Sequence, residues 1–273
     1  MQHIKNLLAG IVIGVANTIP GVSGGTMAVV LNMYDKILNA VSLKKLKDNL
    51  AFLICLGLGG IIGILAFSKI IVILLNTYPL ILNYIFIGLI IGSLPIIFKH
   101  AKYSNEQNTI KSWNFIFGIV TFSIMVFLSF AEKGNLTNSS LSDMGGMSTA
   151  VAIYLFIAAL VSSVAMLLPG ISGSLLLLIF GVYAVIMEAI DNFYMPVLLP
   201  VAFGVGIGIL AGIKLIRELL NRFPQPIYLS ILGLMLGSIF PIWPGFSFSI
   251  QGVIAILLAI IFGLLAYFSA RSK

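Results

Sequence analysis

Long apolar stretches recur along the chain, each closed by a short polar segment. They run over 51–75, 80–98, 113–130, 197–220, 227–242 and 250–267. Most approach or exceed the roughly 20 residues that a helix needs to cross a bilayer core. The pattern predicts an all-α integral membrane protein. Two further apolar stretches are interrupted in their middle. The sequence NTIPGVSGGT at 17–26 sets one proline and three glycines inside the first, and AMLLPGISGS at 165–174 repeats the interruption much later. Proline and glycine are the residues that most reliably stop a helix. Each interrupted stretch is therefore read as a broken helical hairpin, re-entrant or crossing. Ser23 and Ser172 are the expected N-caps of helices that begin GGTMAVVL and GSLLLLIF.

The interruptions belong to a wider repeat. An offset of 149 lays Pro20, Gly21, Ser23 and Gly24 on Pro169, Gly170, Ser172 and Gly173, and Tyr34 on Tyr183. An offset of 145 then lays IGILAFSKIIVILLN on IGILAGIKLIRELLN, with Lys69 on Lys214 and Asn76 on Asn221. It continues through Pro79 on Pro224, Gly88 on Gly233, and Gly92 and Ser93 on Gly237 and Ser238. Oiliness alone matches leucines by chance, but not these polar and helix-breaking positions. The expectation is a single membrane domain over 1–273, with repeat one at 1–133, a polar connecting loop at 134–145 and repeat two at 146–273.

Composition agrees: 60% of the 273 residues are hydrophobic and 8% charged, with a mean hydropathy of +1.16. Soluble domains carry about 25% charge. The formal charge of +7 does not mark a nucleic-acid binder, because the basic residues lie scattered in short loops. They report sidedness instead. If each hairpin returns to its starting side, every half crosses the membrane an odd number of times and the halves are inverted. Lys5, the basic cluster at 36–47, Lys99, Lys102, Lys111, Arg217, Arg222, Arg271 and Lys273 then share one side. Lys133 stands on the other with Glu132, Asp143, Glu188 and Asp191. A single kinked span would separate Lys5 from the 44–47 lysines and lose this bias. The fold expected is two inverted-topology repeats with both termini cytoplasmic. Cys55 is the lone cysteine, so no intramolecular disulfide can form. The basic, then apolar N-terminus has the outline of a signal peptide, yet the same pattern recurs in mid-chain, so it is read as a membrane segment.

Inverted repeats with broken helices near the midplane are a transporter architecture. Irregular backbone at membrane depth survives only where protein covers it or where it lines a polar cavity. A helix that restarts after a break leaves its first amides without intrahelical acceptors and puts the positive end of its dipole there. Two such tips meeting near the midplane would form an anion site, while the competing account makes the breaks hinges or tight crossings. Lys69 and Lys214 are candidate cations for that site. Their alternative is snorkelling to the interface, with Glu218 a possible partner for Lys214 one turn on. Arg217 is read as an inner-surface anchor. Asp35 and Glu188 are candidates for coupling to a proton or sodium ion, with interfacial solvation as the competing account. His3, at the terminus, and His100, placed in a loop, are the two histidines. With no intramembrane pair of carboxylates, an enzyme is disfavoured and neither metal nor cofactor is expected.

ANTIPGVSGGTMAVVLNMYDKIL in the first half and AMLLPGISGSLLLLIFGVYAVIMEAI in the second resemble the bacterial polyprenyl-phosphate transporter family, and the likeness runs essentially the whole length. The resemblance implies a flippase of the bacterial cytoplasmic membrane. Its substrate would be undecaprenyl phosphate, moved from the outer to the inner leaflet so that the lipid carrier is reused in cell-envelope synthesis. The substrate-binding positions it implies are Pro20, Gly21, Ser23, Gly24, Gly25 and Thr26, then Pro169, Gly170, Ser172 and Gly173, and Ser174 beside them is a further candidate. The second copy departs from the first where Ser174 and Leu175 replace Gly25 and Thr26, so the two tips need not bind alike. The alternative is a secondary transporter or channel for a small inorganic ion. Expected partners are the polyprenyl phosphate and membrane lipid, without nucleic acid; the reading admits a homo-oligomer.

Sidedness is testable with single cysteines in a Cys55→Ser background and an impermeant thiol reagent. Positions 45, 102 and 273 should stay unlabelled from outside sealed cells, and positions 138 and 191 should label. External labelling at 45 would refute the inverted arrangement.

Overall fold

The computed structural model describes residues 2–17, 23–41, 47–104, 109–133 and 141–271. The first half comprises α1 (Gln2–Asn17), α2 (Gly24–Val30), α3 (Tyr34–Ala40), α4 (Leu50–Thr77), α5 (Pro79–Lys102) and α6 (Phe115–Lys133). The second comprises α7 (Thr149–Met166), α8 (Gly173–Ile179), α9 (Tyr183–Asp191), α10 (Met195–Arg222), α11 (Pro224–Gly237), α12 (Ile239–Ile242) and α13 (Ile250–Arg271). Among the described residues there is no strand. Six helical stretches there are long and apolar enough to cross a membrane, and the pair α8–α9, bent by 110°, would make a seventh.

The aligned positions do the same local work in both halves. Tyr78 and Phe223 break the helix at nearly the same angles, φ −131°, ψ 51° and φ −133°, ψ 57°. Pro79 and Pro224 follow in the first helical turn, where a missing N–H costs nothing and φ is already set. The corners between α2 and α3 and between α8 and α9 fall at Asn32 (φ 54°) and Gly181 (φ 68°), which the offset of 149 superposes. Ser93 and Ser238 are buried and donate to carbonyls one turn back, those of Ile90 at 2.7 Å and Met235 at 2.8 Å.

Small residues set the packing. Helices in lipid gain little from hiding apolar surface from one another, so close backbone approach must supply the contact energy. A β-carbon on Gly10 or Gly14 of α1 would collide with the backbone carbonyl of Leu56 or Gly60 in α4. In the second half Gly204 and Gly208 of α10 meet the carbonyls of Phe156 and Leu160 in α7. Across the halves, Gly88 and Gly92 of α5 rest on Ala259 and Gly263 of α13, while Gly233 of α11 rests on Gly118 of α6. The pairing therefore repeats: α1 with α4 as α7 with α10, and α5 with α13 as α11 with α6. An apolar core centred on Ile87, Ile90, Ile231 and Met235 joins the two halves along α5 and α11.

Gly92→Val should force α5 away from α13 and lower stability by about 1–3 kcal/mol, the usual cost of overpacking. Gly206→Val, at a glycine with open space around it, should not. Thermal unfolding of both variants in detergent checks the contrast, and equal melting would remove the close-approach argument.

Candidate functional site

The two Pro-Gly motifs touch. Ser23 stands at the start of α2 with an extended backbone (φ −97°, ψ 136°), and its Oγ accepts the Gly25 N–H at 3.1 Å. Asn17, the last residue of α1, accepts the Gly24 N–H through Oδ1 at 3.0 Å. Gly25 faces the second motif so closely that a β-carbon there would lie 3.3 Å from Pro169 Cα. One residue on, the Gly170 N–H donates to Thr26 Oγ1 at 2.9 Å in a buried setting. Gly170 adopts φ +94°, and any β-carbon would sit 2.6 Å from the Leu234 carbonyl of α11, so both conformation and space require glycine. The first motif thus satisfies a backbone amide of the second, and α11 backs the junction.

The tips are unequal. At the first, Ser23 and Thr26 are 3% and 2% exposed and the leading amides are occupied. At the second, Ser172 has the backbone of an N-cap (φ −90°, ψ 128°) but its hydroxyl does not cap the helix. It shares a 2.7 Å hydrogen bond with the Ser174 hydroxyl, exposed to the surroundings. Met166 stands where the offset of 149 would put a counterpart of Asn17, and it packs on Gly173 without offering an acceptor. Among the described residues nothing accepts the Gly173 or Ser174 N–H. The Ser162 hydroxyl, buried alongside, also lacks a partner there. The expected cap forms at Ser23 and fails at Ser172, because Ser174 competes for the hydroxyl. Both helices are only seven residues long, so open amides rather than a long macrodipole set the electrostatics of the second tip.

The remaining candidates are spread out. Pro20 and Gly21 lie outside the described residues, as do Lys45, Asn138, Lys273 and the side chain of Lys69, whose backbone belongs to α4. Lys214 is exposed on α10. The possible Lys214–Glu218 pair is not formed; Glu218 instead binds Arg222, one turn further along. Asp35 and Glu188 are not brought together. Glu188 is exposed beside a small cavity with Asn192 and Tyr194, whereas Asp35 lines a polar cavity that also holds Arg217. His100 lies in the last turn of α5, not in a loop, and stacks on Tyr228 at 5.3 Å between ring centroids. Arg217 itself is half-buried.

Sequence reasoning did not anticipate two lateral apolar grooves. One, of about 700 Å³, runs between α5, α6 and α11 past Phe98, Leu232, Gly233 and Leu236. The other, of about 430 Å³, runs between α5 and α13 past Trp243, Ile87, Gly88 and Ile91. The offset of 145 carries each of these four residues of one groove onto one of the other. The repeat itself was the available signal.

These features define a multi-pass helical membrane protein in which residues of the two motifs meet. The chain matches the VCA0040-like family, described as undecaprenyl phosphate translocase-like, over residues 13–255. It is 33% identical over 256 residues to a polyprenyl-phosphate transporter of Staphylococcus aureus (strain NCTC 8325 / PS 47), covering 90% of this chain and 88% of the relative. A polyprenyl-phosphate transporter of Vibrio cholerae serotype O1 (strain ATCC 39315 / El Tor Inaba N16961) is 31% identical over 262 residues, covering 89% and 79%. No solved structure matches the chain. The chain belongs to the undecaprenyl phosphate translocase-like family, whose relatives here are transporters rather than enzymes.

Thr26→Val should leave the buried Gly170 N–H without an acceptor and cost about 1–3 kcal/mol. Thr26→Ser should keep most of the stability. Unfolding in detergent reads the difference, and a Val variant as stable as the Ser variant would show that the contact between motifs is dispensable.

Proposed function

We propose that this protein transports polyprenyl phosphate across the bacterial cytoplasmic membrane, flipping undecaprenyl phosphate from the outer to the inner leaflet for carrier reuse. The observation that carries the reading is the junction of the two motifs. One tip is closed on itself, and the other presents open amides and a pair of serine hydroxyls. A phosphate monoester, with about −1.5 to −2 charges near neutral pH, is the kind of group that such amides hold. The proposed contacts are Gly173, Ser174 and Ser172 at the open tip. Gly24, Gly25, Ser23 and Thr26 form the closed counterpart that becomes available when the protein rearranges. Lys69 and Lys214 are the proposed cations along the path.

Helix directions support inverted repeats. Contacts advance together along α1 and α4 and along α7 and α10, so each hairpin returns to the side on which it began. Gln225, at the start of α11, binds the carbonyls of Ala101 and Thr109 next to the end of α5. The ends of α10 and α5 thus share a face, and α4 opposes α10. The lateral grooves favour a lipid over a small inorganic ion. They open between helices to the membrane, so a polyprenyl tail can stay in apolar surroundings while its head crosses.

Flipping of polyprenyl phosphate in reconstituted vesicles tests this, against its pyrophosphate, a neutral polyprenol and a small anion. The monophosphate should move and the neutral lipid should not. Movement of the small anion alone would favour the ion-transporter alternative. In the same assay Gly173→Val should abolish flipping by crowding the open amides. Lys69→Gln should weaken lipid binding about tenfold to hundredfold, the equivalent of a lost charge-assisted hydrogen bond. Unchanged flipping by Gly173→Val would remove the open tip from the mechanism, and unchanged binding by Lys69→Gln would reduce Lys69 to an interfacial anchor.

A further inference from the structure

We propose that the polar cavity between α3, α5, α10 and α11 is a second, one-sided docking site for a phosphate monoester, centred on Arg217. The cavity has a volume of about 420 Å³, room for a phosphate group with several waters at about 30 Å³ each. Arg217, His100, Tyr103, Asn39, Asn221 and Asp35 line it. Arg217 is half-buried, and among the described residues no carboxylate lies within 4.0 Å of its guanidinium. An arginine held in a cavity without a carboxylate partner is suited to an incoming anion, and its planar fork matches phosphate oxygens. The amides of Asn39 and Asn221 and the hydroxyl of Tyr103 are neutral donors around it.

What isolates this cavity is that four of its polar residues break the repeat, while Asn221 keeps it. The offset of 145 places Arg217 on Val72, Tyr228 on Asn83 and His100 on Gly245, and the offset of 149 places Asp35 on Ala184. The glycine contacts of α5 with α13 and of α11 with α6, and the Ser93 and Ser238 bonds, recur in both halves. Four departures gathered in one cavity set this face apart from its counterpart. That face carries Lys99, Lys102, Lys111 and Arg222 at the neighbouring helix ends and loop, the side assigned to the cytoplasm by charge.

Asp35 gives the cavity its character. Both carboxylate oxygens lie near the Tyr228 hydroxyl, at 3.4 and 3.5 Å, and Tyr228 in turn stacks on His100. The Tyr34 hydroxyl, on the preceding residue, is buried with no partner among the described residues. A fixed negative charge in an anion site limits affinity. This is what a release site requires, since a head group held too tightly would not leave. The inference rests on the transport reading and adds to it a place of exit, distinct from the junction of the two motifs.

Local occupancy tests it without relying on transport. In a Cys55→Ser background, Ser104→Cys puts a thiol on the cavity wall, and its rate of modification is measured against added ligand. Polyprenyl phosphate should slow labelling and neutral polyprenol should not. Arg217→Gln should raise the half-protecting concentration about tenfold or more. Asp35→Asn should lower it several-fold, a gain that misfolding cannot produce. Protection by inorganic phosphate at the same concentrations would support the phosphate site and assign it to the free ion rather than the lipid. Flipping by the wild type without any protection at position 104 would overturn this site and leave the transport reading intact. Failure of both flipping and protection would overturn the two together. Protection that survives Arg217→Gln unchanged would remove Arg217 from the site.

Discussion

Backbone polar groups cannot be left unsatisfied in hydrocarbon, so a membrane chain that interrupts its helices must cover the groups it frees. The hydrogen bond from the Gly170 N–H to Thr26 Oγ1 joins one break to the other. Because Gly25 lies on Pro169 and Gly170 on Leu234, the breaks are covered by each other and by α11, not by lipid. The junction is enclosed on the side of the Thr26–Gly170 bond, while Ser174 at the second tip stays exposed.

That enclosure depends on helices that approach to backbone contact. Glycines at matching places in each half let α1 lie on α4, α7 on α10, α5 on α13 and α11 on α6. Two of these pairings exchange helices between the halves. One apolar core draws on both halves, while smaller ones lie within each. The apolar grooves lie at the exchanged pairings.

Repeat symmetry and its violation carry different information. Symmetric positions serve turns, corners and close contacts, whose physics is the same whichever way a half faces. Asymmetric positions separate the closed tip, where Asn17 and Ser23 hold the amides, from the open tip, where Met166 cannot. They also gather Arg217, His100, Asp35 and Tyr228 into one cavity. The two halves thus share a frame and differ at their ends.

Much of this was legible in the chain. The long spans, the N-cap position at Ser23, the breaks before Pro79 and Pro224 and the duplication all follow from local rules: apolar length, missing amides, glycine and proline geometry. These rules are read along the chain itself, so the sequence by itself determined a helical membrane protein with several apolar spans. Partner choice is different, because it depends on what lies across space. Nothing local told that Ser172 would bind Ser174 instead of capping, that Glu218 would turn to Arg222 rather than Lys214, or that His100 would remain helical and stack on Tyr228. Arg217 reads as an interfacial anchor until α3 brings Asp35 and Asn39 to the same cavity from far along the chain. Only the tertiary structure decided which tip stays open and which charges share a cavity, because hydrogen-bond competition and desolvation are settled by neighbours that the chain order does not reveal.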